Sequence, residues 1–195
     1  MRKIQTFLSR WRVRLGHLFT LVLLFFAQPD AVSLIAGAAV AVLGESIRIL
    51  SAGYIEKSET LSRSGPYSFT RNPLYLGSFF MYLGFCIASH NLYIAAAFFP
   101  FFFAVYLPTI FLEEEFLSKK FGDDFKEYAA SVPRFFPCLI CLLSPSRRSP
   151  LAAHRFQWHQ VIRNREYEGM LGLAIVLIIL LLELLFGFSP YNLIF

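Results

Sequence analysis

Runs of apolar residues alternate with short polar corners along this chain, and their lengths set the first expectation. A helix needs about 20 apolar residues to cross a bilayer. Leu92 to Leu112 and Gly169 to Phe188 meet that length, the second with Glu183 as its single ionisable residue, and Leu74 to Ser89 falls slightly short. Two earlier stretches are interrupted by charge. Val13 to Gln28 begins with Arg14 and His17, and Ala31 to Leu50 carries Glu45 and Arg48. Such groups must snorkel to the interface or find a partner inside. Gln28, Pro29 and Asp30 read as the tight turn between these two stretches. The pattern predicts an all-α, polytopic membrane protein of about five transmembrane helices, forming a single membrane domain over residues 1–195.

Charge then orients the helices, because Lys and Arg near span ends accumulate on the cytoplasmic side. With the N terminus cytoplasmic, all 18 Lys and Arg residues fall on that face. Merging the first two spans would break this sorting. The other face keeps Pro29 with Asp30, the Ser89-His90-Asn91 corner and the tail from Ser189 to Phe195. Polar chemistry is therefore expected at the cytoplasmic face of a membrane, and a bacterial inner membrane suits a single small chain.

Composition agrees and closes off several classes. With 56% hydrophobic residues, 16% charged residues and 23 Phe in 195 residues, at a mean hydropathy of +0.56, the chain is too apolar for an ordinary soluble core. The net charge of +5 comes from residues flanking spans and not from a recognised nucleic-acid motif, so no nucleic-acid partner is expected. No small-x-small pattern follows Phe26, which argues against a cleaved signal peptide. Three Cys give no disulfide framework, and the Cys138-Leu-Ile-Cys141 pair sits in an apolar stretch where burial or lipidation is the expected role. His17, His90, His154 and His159 include no helical i, i+4 pair, so neither a metal site nor a Cys/His nucleophile is expected. A soluble nucleotide-binding domain is excluded by the lack of a P-loop or GxGxxG.

Two polar segments at the cytoplasmic face are joined by the hairpin of Leu74 to Ser89 and Leu92 to Leu112, which leaves the interface and returns to it. Gly65 to Gly77, leading in, must therefore meet Glu113-Glu114-Glu115, leading out. Gly65-Pro66 marks a turn, Asn72 is a candidate N-cap, and Pro73 suits the first helical turn. Arg71 offers either a snorkelling cation or a rigid fork for a carboxylate. Gly77 allows close approach of a ligand or of another helix, the second role also fitting Gly37, Ala41 and Gly44. Three acids at a helix end face the negative end of its dipole. Either the helix runs on through Phe116, Leu117, Phe121, Phe125 and Tyr128, or a cation pairs with the acids, Arg71 being the obvious one. Glu45 and Arg48, three residues apart, can form an ion pair or line the site. The basic stretch 144–168, with Phe156, Trp158 and Tyr167, reads as an interfacial anchor to anionic lipid that could also cover the site.

Taken together, Gly65-Pro66-Tyr67, Arg71-Asn72-Pro73-Leu74-Tyr75-Leu76-Gly77, Glu113-Glu114, Phe121-Gly122, Tyr128 and Val132-Pro133-Arg134-Phe135-Phe136-Pro137 form a recognisable series. Over residues 53–137 the chain resembles the isoprenylcysteine carboxyl methyltransferase and phospholipid methyltransferase superfamily. The resemblance implies an S-adenosylmethionine pocket at the cytoplasmic membrane face and a lipophilic methyl acceptor that enters from the bilayer, with no metal. It assigns cofactor contacts to Tyr67, Arg71, Asn72, Pro73, Tyr75, Gly77, Glu113, Glu114 and Tyr128, and catalytic roles to Arg71, Glu114 and Arg134. Two departures stand out. Asn72 replaces the His of the eukaryotic Arg-His-Pro, and Ser131 stands where the prenylcysteine enzymes carry a basic residue. Isoprenylcysteine carboxylate, a phospholipid amine or another lipophile are all compatible acceptors. The rival expectations are an NADPH-dependent sterol-type reductase and a non-catalytic membrane adaptor.

Overall fold

The computed structural model describes residues 2–55, 60–137 and 155–187. The Cys138–Cys141 pair, residues 144–154 of the basic stretch and the C-terminal tail lie outside them. Among the described residues the chain is helical: α1 (Arg2–Phe25), α2 (Ala31–Tyr54), α3 (Pro73–Ala88), α4 (Leu92–Phe121), α5 (Asp123–Ser131), α6 (Trp158–Arg163) and α7 (Glu166–Phe186), with a 3-10 turn at Gly65–Ser68. The helices α2, α4 and α7 are long and apolar enough to cross a membrane. The α3 helix is apolar but only 16 residues long. Of the five spans expected, the two that do not meet this length and composition are α3, which is short, and α1, which carries Arg10, Arg12 and Arg14. The α7 helix turns Leu171, Ile175, Ile178 and Leu185 outward, each more than half exposed. A helix apolar all round that stays exposed is one that faces lipid.

One end of the bundle is tied by its turns. The Gln28 N–H donates to Ser89 O at 2.8 Å, Asn91 Nδ2 donates to Phe26 O at 2.9 Å, and Asp30 caps α2 through the Ser33 N–H at 2.8 Å. His90 Nδ1 lies 3.0 Å from Asp30 Oδ2. With these corners joined, Arg12, Arg48, Pro73 and Glu113 all fall at the opposite end.

The closest helix pair is α2 with α3, where Gly37, Ala41 and Gly44 meet Gly77, Gly84 and Ala88. A Cβ added at Gly77 would stand 2.6 Å from Gly44 O, so only glycine permits this approach. Small residues are what let membrane helices approach when hydrophobic burial does not drive them together. On the other side of α3 an aromatic core fills the space to α4. Phe79, Phe98 and Phe102 interlock there, and Phe102 stacks on Tyr106 at 4.3 Å between ring centres. Phe135, beyond α5, inserts its ring 5.9 Å from Phe79 and so anchors the segment 132–137 beneath α3.

Candidate active site

The site is built where three pieces of chain converge: the strap before α3, the far part of α4 and the segment after α5. The α4 helix does continue past its three acids, to Phe121, which settles why they can lie at a membrane edge. A cation pairs with them as well. Glu114 is 8% exposed, and its carboxylate is held from three sides. Arg134 Nε donates to Oε2 at 3.0 Å, Asn72 Nδ2 donates to Oε1 at 3.1 Å, and Arg71 Nε lies 3.4 Å from Oε1. Among the described residues the Arg71 Nε makes no hydrogen bond. Arg134 is 41% exposed along its side chain, so solvent weakens its share to about 0–1 kcal/mol. Its guanidinium rests on the Phe111 ring at 4.5 Å.

Backbone contacts fix the strap. The Arg71 N–H donates to Pro133 O at 2.9 Å, and Thr70 Oγ1, almost fully buried, donates to Phe135 O at 2.7 Å. Asn72 occupies the N-cap position of α3 but makes no side-chain cap, a correction to its expected role. Its amide instead bridges Glu114 and the carbonyl of Arg134, the latter at 2.9 Å. Pro73 fills the first turn, where no N–H is needed.

Beside this centre, Tyr75 donates its hydroxyl to Glu113 Oε1 at 2.7 Å, and Arg12 of α1 reaches the same oxygen at 3.5 Å. Tyr128 donates to Tyr67 O at 2.7 Å, under the Arg63 guanidinium. The Tyr67 hydroxyl is buried and has no hydrogen-bond partner among the described residues. Burial pushes the Tyr67 phenol well above its ordinary value, with Tyr128, Glu113 and Glu166 adding to the push. Burial likewise raises Tyr128, against the pull of Arg71 and Arg63. Both phenols therefore stay neutral and serve as hydrogen-bonding groups.

Most of the sequence-derived site residues are thus brought together: Arg71, Asn72, Glu114 and Arg134 in one cluster, Tyr75 and Glu113 next to it, Tyr67 and Tyr128 alongside. Gly77 is not among them, since it lies in the α2–α3 crossing, against Gly44 and Arg48. Glu45 and Arg48 pair at 3.2 Å as their spacing suggests, but Arg48 also takes Glu166 Oε2 at 2.6 Å and Ser78 Oγ at 2.6 Å. Sequence reasoning missed Arg12, Thr70, Ser78 and Glu166. Glu166 stands in the first turn of α7, where an acid suits the helix dipole, and that was the available signal. Glu183 of α7 is buried, at 8% exposure.

Membrane-length apolar helices around a carboxylate held by two arginines and an amide, all at one end, define a polytopic membrane protein with a single-faced polar centre. The chain belongs to the phospholipid methyltransferase family, whose profile matches residues 15–124, and that family is one of membrane methyltransferases. The match takes in Arg71, Asn72 and Glu114. Two curated proteins are similar. The cobalt-zinc-cadmium resistance protein CzcN of Cupriavidus metallidurans is 33% identical over 153 residues, 71% of this chain and 69% of that protein. The nickel-cobalt-cadmium resistance protein NccN of Alcaligenes xylosoxydans xylosoxydans is 36% identical over 101 residues, 51% of this chain and 47% of that protein. The chain thus aligns with about half the length of NccN. No solved structure matches.

Proposed function

We propose that the protein transfers a methyl group from S-adenosylmethionine to a lipophilic acceptor at one face of the membrane. The observation that carries this reading is the Glu114 carboxylate gripped by Arg71, Asn72 and Arg134, with the Tyr67 phenol nearby lacking a hydrogen-bond partner among the described residues. The donor set suits the cofactor, which presents a carboxylate, an ammonium, hydroxyls and an adenine. Arg71, whose Nε makes no hydrogen bond among the described residues, would hold the carboxylate, and Glu113 or Glu114 the ammonium or a hydroxyl. Tyr67 and Tyr128 would complete the wall as neutral groups. When bound, the cofactor supplies an electrophilic methyl group on a sulfonium.

The chain's own contribution is to hold, align and desolvate. Glu114 fixes both arginine forks so that their remaining N–H groups have set directions. The aromatic core beneath the site keeps water out. No residue need act as an acid or base for an acceptor that is already anionic, which is why Asn72 in place of His is compatible with the reaction.

The test is S-adenosylhomocysteine binding to the detergent-purified protein, with NADPH as control. Selective binding, weakened roughly ten- to hundredfold by Arg71→Ala and by Glu114→Ala, is expected from the loss of a charge-assisted bond. NADPH binding alone would favour a reductase, and binding of neither an adaptor. Loss of activity in Arg71→Ala at unchanged cofactor affinity would refute its assignment to the carboxylate. Resistance to cobalt, zinc, cadmium and nickel, the property in the relatives' names, is tested here by comparing growth on those ions with and without the gene.

A further inference from the structure

Thr70 stands on the strap directly before Arg71 and Asn72, and it is 2% exposed. A hydroxyl buried to this degree is costly unless it is bonded. This one reaches three backbone groups. It donates to Phe135 O at 2.7 Å, with Arg134 O as a longer acceptor at 3.3 Å, and it accepts from the Asn72 N–H at 3.4 Å. A hydroxyl has a single proton, so the bond to Phe135 is the main one and the contact with Arg134 its weaker branch.

These backbone groups belong to, or adjoin, the residues whose side chains hold Glu114. The Arg134 carbonyl also takes the Asn72 amide at 2.9 Å, while Arg134 Nε donates to Glu114 Oε2 at 3.0 Å. Arg134 is therefore gripped at both ends, by the strap at its carbonyl and by Glu114 at its guanidinium. Next along the strap, the Arg71 N–H donates to Pro133 O at 2.9 Å, so the strap and residues 133–135 are tied to each other at successive positions. The buried Phe135 ring packs against Phe79, Phe102 and Phe103. The acceptor of the Thr70 bond is thus anchored in the α3–α4 core, and the strap takes its position from that anchor.

We propose that Thr70 is a positioning residue of the methyl-transfer site: its hydroxyl sets the strap against residues 133–135 so that Arg71, Asn72 and Arg134 converge on Glu114. The inference rests on the methyl-transfer reading and adds to it a residue that acts through the backbone of its neighbours. A displacement of about 1 Å at a reacting centre can cost on the order of a hundredfold in rate, which is how a buried hydroxyl beside the site governs it.

Calorimetric titration of S-adenosylhomocysteine into the detergent-purified full chain tests this. Thr70→Ser keeps the hydroxyl and should bind within about twofold of the wild type, whereas Thr70→Val, close in shape, should bind about three- to tenfold more weakly, as the loss of one hydrogen bond implies. Thr70→Cys, a weaker donor, should fall between them and takes the place of Thr70→Val where the latter does not fold. The same substitutions are then made in Glu114→Gln. There Thr70→Val should weaken binding by less than about a further twofold, since the carboxylate on which the strap aligns its arginine is gone; a merely structural role would cost the same factor in both backgrounds. Thr70→Val binding as tightly as the wild type, Thr70→Ser binding as weakly as Thr70→Val, or equal losses with and without Glu114 would each overturn the inference while leaving the methyl-transfer reading in place. A wild-type chain that binds no S-adenosylhomocysteine would overturn both.

Discussion

Asn72 carries the sharpest test of the site, because its one amide group serves two acceptors in a place that is 8% exposed. Nδ2 donates to the Glu114 carboxylate at 3.1 Å and to the Arg134 carbonyl at 2.9 Å. A hydrogen bond to a charged group contributes about 1.5–3 kcal/mol and a neutral one about 0.5–1.5 kcal/mol. Asn72→Ala should therefore cost about 2–4 kcal/mol, lowering the melting temperature by on the order of 10 °C for a chain of this size. Asn72→His keeps a single N–H in the neutral ring, so it should lose about half as much and retain S-adenosylhomocysteine binding. Asn72→Asp should be the most damaging of the three. It removes both donors and sets a second carboxylate against Glu114 where little water screens them. Thermal unfolding in detergent, with cofactor-product affinity measured on the same samples, ranks the series. Asn72→Asp matching the wild type in both measurements would refute the idea that Asn72 organises Glu114.

Alkaline pH should report on the tyrosines. Burial raises Tyr67 and Tyr128 above the ordinary value of 10.0, so their contribution to stability is complete below pH 10 and is lost as pH rises toward the folded values. Near-ultraviolet absorbance titration should find late-ionising tyrosines, fewer of them in Tyr128→Phe; all ionising near the ordinary value would contradict this. Gly44→Val should separate α2 from α3, because even a Cβ there collides with the α3 backbone; the expected cost is about 1–3 kcal/mol or more, read as loss of folded protein by size-exclusion chromatography. Arg12→Ala should leave the fold intact, since Glu113 keeps its bond from Tyr75 and exposed pairs contribute about 0–1 kcal/mol; a large drop in melting temperature would show that α1 is fastened through that contact.

The helices were legible because lipid imposes a length on apolar runs, and the hairpin argument brought the strap to the acids without any contact information. It did so for Asn72 with Glu114 and for Tyr75 with Glu113. What stayed hidden depended on rotation about helix axes. Gly77 reads equally well as a ligand approach or a helix contact, and only the crossing with Gly44 decides it. Asn72 before Pro reads as a cap, yet the strap is held so firmly by Pro133 O and Phe135 O that the amide is turned toward α4. Arg12 and Glu166 could not be placed because their partners lie 101 and 118 residues away in sequence. Arg10, Arg12 and Arg14 are the reason α1 fails as a plain span, and the same charge gives it a partner at the site.

Both polar clusters share α3, and this explains how so short a helix can organise the end of the bundle. Asn72, just before it, and Tyr75 in its first turn serve the Glu114 and Glu113 side, while Ser78, one turn further along, accepts from Arg48. The Arg48 stem reaches across because Gly77 has no side chain: a Cβ there would stand 2.7 Å from Arg48 Cγ. Within a bilayer apolar burial does little to fix one helix against another, so such polar contacts and close glycine crossings set the geometry. The glycines of α2 and α3 are therefore functional at one remove. They place Arg48, which fastens α7 through Glu166, and they hold α3 where its N-terminal turn can meet α4.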